Sequence, residues 1–398
     1  MRRLYDALLR THLERHRQMA FVSGPRQVGK TTTSRAVADP DRYLSWDDED
    51  DRALFLKGPA AVAERLGLEE LRARRSVAAF DELHKYPRWK TFLKGFFDKH
   101  EERVRLIVTG SSRLDVYRRG GDSLMGRYFS FRMHPLSVAE LLRPEVPSGV
   151  GTEPSKLPES SFETLLRHGG YPEPFTRNDE RFSRRWRSTR LDQLLREDLR
   201  ELTRLHQVAQ VEHLAKVLLT RSGTQITYQS LASETRVSPD TAREWVDVLA
   251  SLHLGFVVRP WFRNVARALR KEPKWYLYDW SGIADPGQRA ETFIACHLLK
   301  AVHAWTDLGM GTFDLHYVRD KEKREVDFLI VRDGEPWILA EVKTSRAPLS
   351  PALEHFRKAT NAAHAFQVTL DLPFERADCF AHHGPIVVPA RTFLSQLV

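Results

Sequence analysis

The chain has 398 residues, a formal net charge of +9 and two cysteines, Cys296 and Cys379. Its apolar and charged fractions, 41% and 29%, are those of an ordinary globular protein, and no apolar run approaches the roughly 18 to 20 residues of a membrane span. Two distant cysteines exclude a disulfide framework and a zinc site, and they predict a cytoplasmic protein. The basic balance is compatible with nucleic acid, and also with mere solubility.

Apolar runs alternate with helical patterns through the first 140 residues, as expected for a parallel sheet covered by helices. This part is predicted to be an α/β fold. Its predicted strands, of which the last completes the sheet, are Met19–Ser23, Arg42–Trp46, Val77–Phe80, Arg105–Thr109 and Tyr128–Met133.

The segment GPRQVGKT at residues 24–31 matches the phosphate-loop pattern G-x-x-x-x-G-K-[ST]. It follows an apolar strand and precedes a helical run, so its backbone N–H groups and the helix N-terminus can bind phosphate. Lys30 is expected to bridge the β- and γ-phosphates of ATP, and Thr31 to give its hydroxyl to Mg²⁺. The residues predicted to bind the nucleotide are Gly24, Pro25, Arg26, Gln27, Val28, Gly29, Lys30, Thr31 and Thr32.

Two carboxylates follow the third predicted strand. Asp81 is expected to hold Mg²⁺ and Glu82 to polarise the attacking water. The fourth strand ends in hydroxyl groups, and Thr109 or Ser111 either senses the γ-phosphate or caps a turn. Arg127 is a candidate arginine finger, although a lone arginine is more often a surface residue.

Residues 144–160 are rich in Pro, Gly and Ser and are predicted to be an exposed linker, and a helical region follows to about residue 221. Within it, residues 181–204 form a dense basic tract. Its early part interleaves arginines with Phe182 and Trp186, a pattern suited to phosphate contacts and base stacking. A solvated helix face with paired acidic residues explains the tract equally well.

Residues 226–260 are predicted to form a helix-turn-helix with a wing. Ser238 and Pro239 are a good N-cap and first helical residue for the second helix. That helix would enter the major groove of DNA in a DNA-binding module. It carries Asp240, Glu244 and Asp247, and this acidity argues against contact with DNA phosphates.

Residues 324–345 are predicted to form two strands around an Asp-Gly hairpin. Because side chains alternate along strands, Asp327, Glu341 and Lys343 can converge, as in metal-dependent nucleases. The carboxylates would bind Mg²⁺ or Mn²⁺ and Lys343 would orient or activate water. The same groups also make an ordinary salt-bridge cluster. Cations surrounding this region in sequence favour a polyanionic partner: Arg263, Arg267, Arg270, Lys271, Lys274, Lys321, Lys323 and Arg324.

The segments GPRQVGKTT, FDELHKYPRWKTFLKGFFD, VTGSSRLD, SLMGRYFSFRMHPLSVAEL and GGYPEP occur in this order. They resemble bacterial and archaeal AAA-type ATPases that carry a C-terminal DUF4143 domain. The resemblance implies an AAA+ core, a helical lid, a winged helix and a restriction-endonuclease-like α/β domain of the PD-(D/E)XK type. It matches Arg127 to the family's GR motif, which implies a finger acting across a homo-oligomer interface. Glu291 matches the usual position of a further metal-binding acid in the nuclease-like fold.

The predicted domains are a P-loop AAA+ core at 1–143, a linker and helical lid at 144–205, a winged helix at 206–265 and a nuclease-like domain at 266–398. The leading hypothesis is a protein that hydrolyses ATP to bind and remodel DNA, with metal-dependent cleavage as a further activity. The rival hypothesis is a nucleotide-controlled signalling or regulatory switch whose C-terminal domain only binds a partner. The sequence identifies no protein partner.

Overall fold

The computed structural model describes residues 1–70, 74–110, 124–199, 207–262 and 272–398. They form two compact units, which we call the N-terminal unit (Met1–His134 and Arg143–Val146) and the C-terminal unit (Pro135–Leu142 and Pro147–Val398). Among the described residues, no helix is both long and apolar enough to cross a membrane. The predicted phosphate sensor Ser111 lies outside the described residues.

The N-terminal unit is built on a five-stranded sheet. Its strands are β1 (Met19–Ser23), β2 (Tyr43–Ser45), β3 (Ser76–Asp81), β4 (Val104–Thr109) and β5 (Tyr128–Arg132). All neighbouring strands are parallel, in the order β2-β3-β4-β1-β5 that is typical of an AAA+ core. The five strands agree with the predicted ones to within one residue at each end, so the predicted α/β fold is confirmed.

Aromatic packing fixes two helices of the N-terminal unit to its sheet. The helices are α1 (Leu4–Arg15), α2 (Lys30–Val37), α3 (Glu49–Lys57), α4 (Pro59–Arg65) and α5 (Trp89–His100). On α5, Phe92 and Phe96 lie four residues apart on one face, and both rings contact Phe80 of β3. Phe55 of α3 meets the same ring edge-on at 5.3 Å. Burying these large rings supplies much of the apolar stabilisation on this side of the sheet.

Parallel pairing sets the position of the candidate site. Because β4 pairs with both β1 and β3, the carboxyl ends of these three strands lie at one edge of the sheet. The predicted phosphate loop follows β1, Asp81 ends β3 and Thr109 ends β4. Ligands of open α/β sheets bind outside this edge.

The C-terminal unit contains ten α-helices among its described residues. They are α6 (Val138–Leu142), α7 (Glu159–His168), α8 (Pro172–Arg177), α9 (Glu180–Gln193), α10 (Val208–Leu219), α11 (Tyr228–Thr235), α12 (Pro239–Ser251), α13 (Pro286–Asp307), α14 (Pro351–Thr360) and α15 (Ala390–Ser395). Its strands are β6 (Thr224–Gln225), β7 (Gly255–Pro260), β8 (Lys274–Leu277), β9 (Phe313–Arg319), β10 (Glu325–Arg332), β11 (Glu335–Lys343), β12 (His364–Thr369) and β13 (Pro385–Pro389).

One sheet runs through the C-terminal unit, in the order β13-β12-β11-β10-β9-β7-β8-β6. Strand β7 pairs antiparallel with β8 and parallel with β9. The expected boundary between 206–265 and 266–398 therefore falls between two paired strands, β7 and β8. Strands of the predicted wing and of the predicted nuclease-like domain belong to the same sheet.

The two helices of the predicted helix-turn-helix are α11 and α12. The Ser238 side chain accepts a hydrogen bond from the Thr241 N–H, and Pro239 occupies the first turn, as the sequence predicted. Asp240, Glu244 and Asp247 are all exposed on α12. The acidic surface that argued against DNA contact is thus present on the folded helix.

The hairpin of β10 and β11 turns at Asp333 and Gly334. Both residues have positive φ, 51° and 87°, as a two-residue hairpin turn of the primed type requires. Phe328 faces Ala340 across the antiparallel pair, and a register shift follows at Ile330. The next elements along the chain are α14 and β12.

A fully buried ion pair anchors the short segment Pro135–Leu142 inside the C-terminal unit. Lys300 of α13 bonds to the Glu140 carboxylate of α6, and the two side chains are 1% and 0% exposed. The same ammonium donates to the Pro135 carbonyl at 3.0 Å. Since an unpaired buried charge is strongly destabilising, each partner requires the other.

Candidate functional site

The phosphate loop has the backbone that its glycines permit. Gly24 has a φ of +148°, and a Cβ atom there would lie 2.2 Å from the Met133 carbonyl oxygen, so no larger residue fits without a shift. Gly29 is the N-cap of α2 with a φ of 107°, in the left-handed region that favours glycine. The loop thus leads directly into a helix N-terminus, where free N–H groups and the helix dipole favour phosphate.

Lys30 lies inside this loop. Its ammonium donates to the carbonyl oxygens of Gly24 and Pro25, both at 2.8 Å, and the residue is only 7% exposed. The backbone of the loop therefore surrounds a desolvated positive charge. This arrangement agrees with the role predicted for Lys30, which is to contact the phosphates of a bound nucleotide.

Asp81 is the hydrogen-bonding centre of the site. Its carboxylate accepts hydrogen bonds from the hydroxyl groups of Thr31 (2.8 Å), Tyr43 and Thr109. Burial, followed by the neighbouring Asp81 carboxylate, raises the pKa of Tyr43, which therefore stays a protonated donor at neutral pH. Tyr43 was not among the residues predicted for the site. Thr109 is fully buried, and its hydroxyl donates to Asp81.

The donor set at Asp81 and Thr31 fits Mg²⁺. A carboxylate and a hydroxyl oxygen already meet at 2.8 Å at the mouth of the phosphate loop. Hard oxygen ligands from one or two side chains, completed by phosphate oxygens, are what Mg²⁺ takes in nucleotide sites. Asp81 and Thr31 are therefore the residues that would hold it, and a bound Mg²⁺ would neutralise charge on the phosphates.

Glu82 follows Asp81 in a left-handed conformation, with φ 54° and ψ 19°. Its carboxylate lies 3.7 Å from both the Lys85 ammonium and the His84 ring. Burial raises the pKa of the Glu82 carboxyl, while the charge of Lys30 opposes the rise. A raised carboxyl pKa suits a general base, because it brings proton affinity closer to the working pH.

Arg3 contacts the phosphate loop from the N-terminus of α1, a feature that the sequence did not reveal. Its guanidinium donates to the Val28 carbonyl at 2.5 Å and to the His134 carbonyl at 2.7 Å, and the residue is 4% exposed. These two bonds join the loop to the chain just after β5. Charged donors to carbonyl oxygens make stronger hydrogen bonds than neutral ones.

Arg127 lies at the other end of the sheet. It precedes β5, and the Met19 N–H at the start of β1 donates to its carbonyl, whereas the phosphate loop follows the last residue of β1. Its guanidinium forms a bidentate salt bridge with the Asp98 carboxylate, with N···O distances of 2.7 and 2.9 Å. The structure does not bring Arg127 to its own phosphate loop, so a finger role concerns only another copy of the chain.

A second polar cluster lies in the C-terminal unit, where Asp327, Glu341 and Lys343 converge as predicted. The Lys343 ammonium is 2.9 Å from Glu341 Oε1, and the Val342 N–H donates to Asp327 Oδ2 at 2.9 Å. Burial raises the pKa of the Glu341 carboxyl, and the nearby Asp327 charge adds to this. We call these residues, with Glu291, Glu325 and Lys274, the carboxylate cluster.

Lys274 of β8 lies at the centre of the carboxylate cluster. Its ammonium is 2.7 Å from Glu325, 3.0 Å from Glu291 and 3.3 Å from Asp327. The Tyr276 hydroxyl donates to Glu291 at 2.6 Å. Burial and the Asp327 charge raise the pKa of the Glu291 carboxyl to about 7. The sequence contains one signal for this arrangement, a lysine within the apolar segment KWYLY. A buried lysine needs a partner of opposite charge, so the segment indicates buried carboxylates nearby.

The cluster does not fit the metal site predicted from Glu291, Asp327 and Glu341. The described residues contain no group of three His, Cys, Asp or Glu side chains arranged to hold a metal ion. The physical reason is that the Lys274 ammonium already lies between Glu291 and Asp327.

The basic tract on α9 exposes fewer aromatic rings and arginines to solvent than its sequence suggests. Trp186 is 7% exposed and packs on Tyr171 at 5.0 Å, and the Arg177 guanidinium covers the Phe182 ring at 4.6 Å. Trp186 is therefore buried away from any base, and one face of the half-buried Phe182 ring is covered. Arg187 donates to Ser281. The arginines that remain exposed within the early tract are Arg181, Arg184 and Arg185.

The cations that surround this region in the sequence differ in their environment. Lys274 is buried within the cluster, and Arg324 is paired with Asp320 at 2.6 Å. Lys321 and Lys323 are exposed. The remaining cations of this set lie outside the described residues: Arg263, Arg267, Arg270 and Lys271.

Three segments of the chain match known domain families. Residues 16–142 match an AAA domain, residues 159–284 a domain of unknown function, DUF8612, and residues 286–389 a second domain of unknown function, DUF4143. The AAA match covers the phosphate loop, Asp81 and Glu82. The chain therefore carries an AAA domain and a DUF4143 domain, as the sequence motifs predicted.

Similar proteins include two uncharacterised mycobacterial proteins, Rv2008c of Mycobacterium tuberculosis and Mb2031c of Mycobacterium bovis. Each is 25% identical over 365 residues, which is 87% of this chain and 76% of theirs. Among solved structures, AMPPCP-bound DnaA from Aquifex aeolicus has 13% identity and a TM-score of 0.31, covering 61% of this chain and 86% of that one. C. elegans PCH-2 has 14% identity and a TM-score of 0.26, covering 61% and 67%. These structural similarities are too low to support an argument.

We predict that Arg3→Met weakens ATP binding roughly ten- to hundredfold, because the phosphate loop loses its hydrogen bond from a charged donor. Calorimetric titration with a non-hydrolysable ATP analogue measures the dissociation constant. Arg2→Met is the matched control, since the Arg2 side chain is 63% exposed and only approaches Glu145 at 4.0 Å. Wild-type affinity in a folded Arg3→Met protein would contradict this role.

Proposed function

We propose that this protein hydrolyses ATP at the phosphate loop of its N-terminal unit and uses the cycle to remodel DNA. The Asp81 hydrogen-bonding centre carries the first part of the proposal. It joins Thr31, at the start of α2, to Tyr43 of β2 and to Thr109 at the carboxyl end of β4. A phosphate loop with a buried lysine, next to a carboxylate of this kind, supports Mg²⁺-dependent binding and hydrolysis of a nucleoside triphosphate.

Each residue of the site has one part in this reaction. The N–H groups of the phosphate loop and the Lys30 ammonium bind the phosphates and offset their negative charge. Thr31 and Asp81 would hold Mg²⁺, which would offset further charge on the phosphates. Glu82 accepts the proton of the water that attacks the γ-phosphate, and its raised pKa favours that transfer.

Exposed arginines and the basic balance of the chain support DNA as the partner. Arg181, Arg184 and Arg185 are exposed on α9, and the chain has a net charge of +9. Such residues contact phosphates rather than bases, so binding is expected to be independent of sequence and sensitive to salt. The acidic surface of α12 makes that helix a poor candidate for the major groove.

Assembly into a homo-oligomer is part of the same proposal. Arg127 does not reach the phosphate loop of its own chain, and a finger acting on a neighbouring copy would have to exchange Asp98 for that copy's γ-phosphate. We do not extend the proposal to cleavage of DNA. The carboxylates on which cleavage would depend are bonded to Lys274 and Lys343.

The second candidate is a nucleotide-controlled signalling or regulatory switch whose C-terminal unit only binds a partner. The ion-paired state of the carboxylate cluster favours it, because a degenerate nuclease-like centre can persist as a binding surface. Dependence of ATP turnover on DNA distinguishes the two candidates.

We predict that Glu82→Gln slows ATP turnover at least about a hundredfold and preserves ATP binding, because the amide cannot accept the proton of the attacking water. Steady-state turnover and calorimetric titration measure the two quantities separately. Lys30→Ala is the comparison variant and is expected to lose binding itself. Equal loss of binding and turnover in Glu82→Gln would assign Glu82 a structural role instead.

We predict that DNA stimulates ATP turnover, and that reversing the charge of Arg181, Arg184 and Arg185 to Glu weakens DNA binding about tenfold or more near ~100 mM salt. The salt dependence should also become shallower, because its slope counts the phosphate contacts. Fluorescence anisotropy on duplex, branched and single-stranded DNA measures binding.

The control for this experiment reverses three exposed cations of the N-terminal unit, Lys57, Arg88 and Lys99. These changes alter net charge by the same amount and should leave DNA binding close to wild type. If no form of DNA binds or changes the rate of ATP turnover, the DNA proposal is wrong and the switch is favoured.

A further inference from the structure

The carboxylate cluster already contains a cation supplied by the protein. Four carboxylates, those of Glu291, Glu325, Asp327 and Glu341, come from α13, β10 and β11. The Lys274 ammonium reaches three of them, at 2.7 to 3.3 Å. These are the distances of charge-assisted hydrogen bonds, whereas Mg²⁺ binds oxygen at about 2.0 to 2.1 Å. A metal would need the space that the ammonium occupies.

The oxygens that a metal would use are largely engaged. Asp327 accepts from Lys274 on Oδ1 and from the Val342 N–H on Oδ2. Glu325 accepts from Lys274 on Oε1 and from Arg319 on Oε2. Glu341 Oε1 accepts from Lys343, and its buried Oε2 has no partner among the described residues. Glu291 accepts from both Lys274 and the Tyr276 hydroxyl on Oε1. The oxygens nearest the ammonium are therefore already bonded to protein donors, and a divalent ion would have to replace those donors.

Lys274 cannot readily leave the cluster. It belongs to β8, its side chain is 5% exposed, and its strand neighbours Trp275 and Tyr276 are fully buried. The ammonium also lies 5.6 Å from the centre of the Tyr317 ring. Moving it out would leave several buried carboxylates without a counter-charge, which is strongly unfavourable.

We infer that Lys274 is the resident cation of the carboxylate cluster, that it excludes divalent metal ions, and that the cluster fastens β8 to α13 and β10. Four carboxylates face three cations, Lys274, Lys343 and Arg319, so the cluster is nearly neutral without a metal. Removal of the Lys274 ammonium alone is sufficient to create a metal site. This inference concerns the C-terminal unit and does not depend on ATP hydrolysis.

Binding of Mn²⁺, measured by the paramagnetic resonance signal of the free ion, tests the inference on nucleotide-free full-length chains. We expect wild type and Asp327→Asn to bind Mn²⁺ alike. Lys274→Met should bind about one additional Mn²⁺ per chain, at least roughly tenfold tighter than wild type. The double variant Lys274→Met, Asp327→Asn should lose that ion. The phosphate loop is identical in all four proteins, so its contribution cancels.

Lys343→Met is the matched control, because it removes an ammonium that touches only Glu341 in this cluster. It should leave Mn²⁺ binding at the wild-type level. The inference is overturned if wild type binds Mn²⁺ at a site that Asp327→Asn removes, or if a folded Lys274→Met binds no more Mn²⁺ than wild type. Should Lys274→Met fail to fold, the comparison of wild type with Asp327→Asn decides the matter alone.

Discussion

The Asp81 carboxylate is a buried negative charge that three hydroxyl groups satisfy. Thr31, Tyr43 and Thr109 come from α2, β2 and β4, and Asp81 is 4% exposed. A buried charge is tolerated only when its hydrogen bonds are made, so these elements must meet at one edge of the sheet. That requirement agrees with the strand order, since β3 lies between β2 and β4. It also leaves a hydroxyl and a carboxylate together at the mouth of the phosphate loop, where a nucleotide and its metal can use them.

Local sequence signals predicted much of the fold and part of the site. The phosphate loop needs glycine at Gly24 because Met133 approaches it, and such a constraint leaves a short, recognisable motif. Strand ends were predictable because apolar runs stop at polar residues such as Asp81. The hairpin was predictable because Asp and Gly readily adopt the positive φ that both of its turn residues have. Period-two alternation likewise placed Asp327 and Glu341 within reach of one another. Each of these signals lies within a few residues of the feature it predicts.

What the sequence could not show are partners distant along the chain. Arg3 bonds to the His134 carbonyl, and Lys274 to Asp327. The residues of each pair are far apart in the sequence, and no local pattern indicates that they meet. The interleaved aromatic residues of α9 illustrate the same limit, because helical spacing does not reveal that Trp186 packs on Tyr171. Lys274 matters most, because the predicted residues converge around its ammonium.

The Mg²⁺ dependence of nucleotide affinity is the most direct test of the central claim, that Asp81 and Thr31 form the metal-binding half of an ATP site. Calorimetry with a non-hydrolysable ATP analogue, in Mg²⁺ and in EDTA, measures it for wild type and Asp81→Asn. The account predicts that Mg²⁺ tightens binding to wild type by about tenfold or more, and that folded Asp81→Asn loses this gain. An undiminished Mg²⁺ effect in Asp81→Asn would contradict the account.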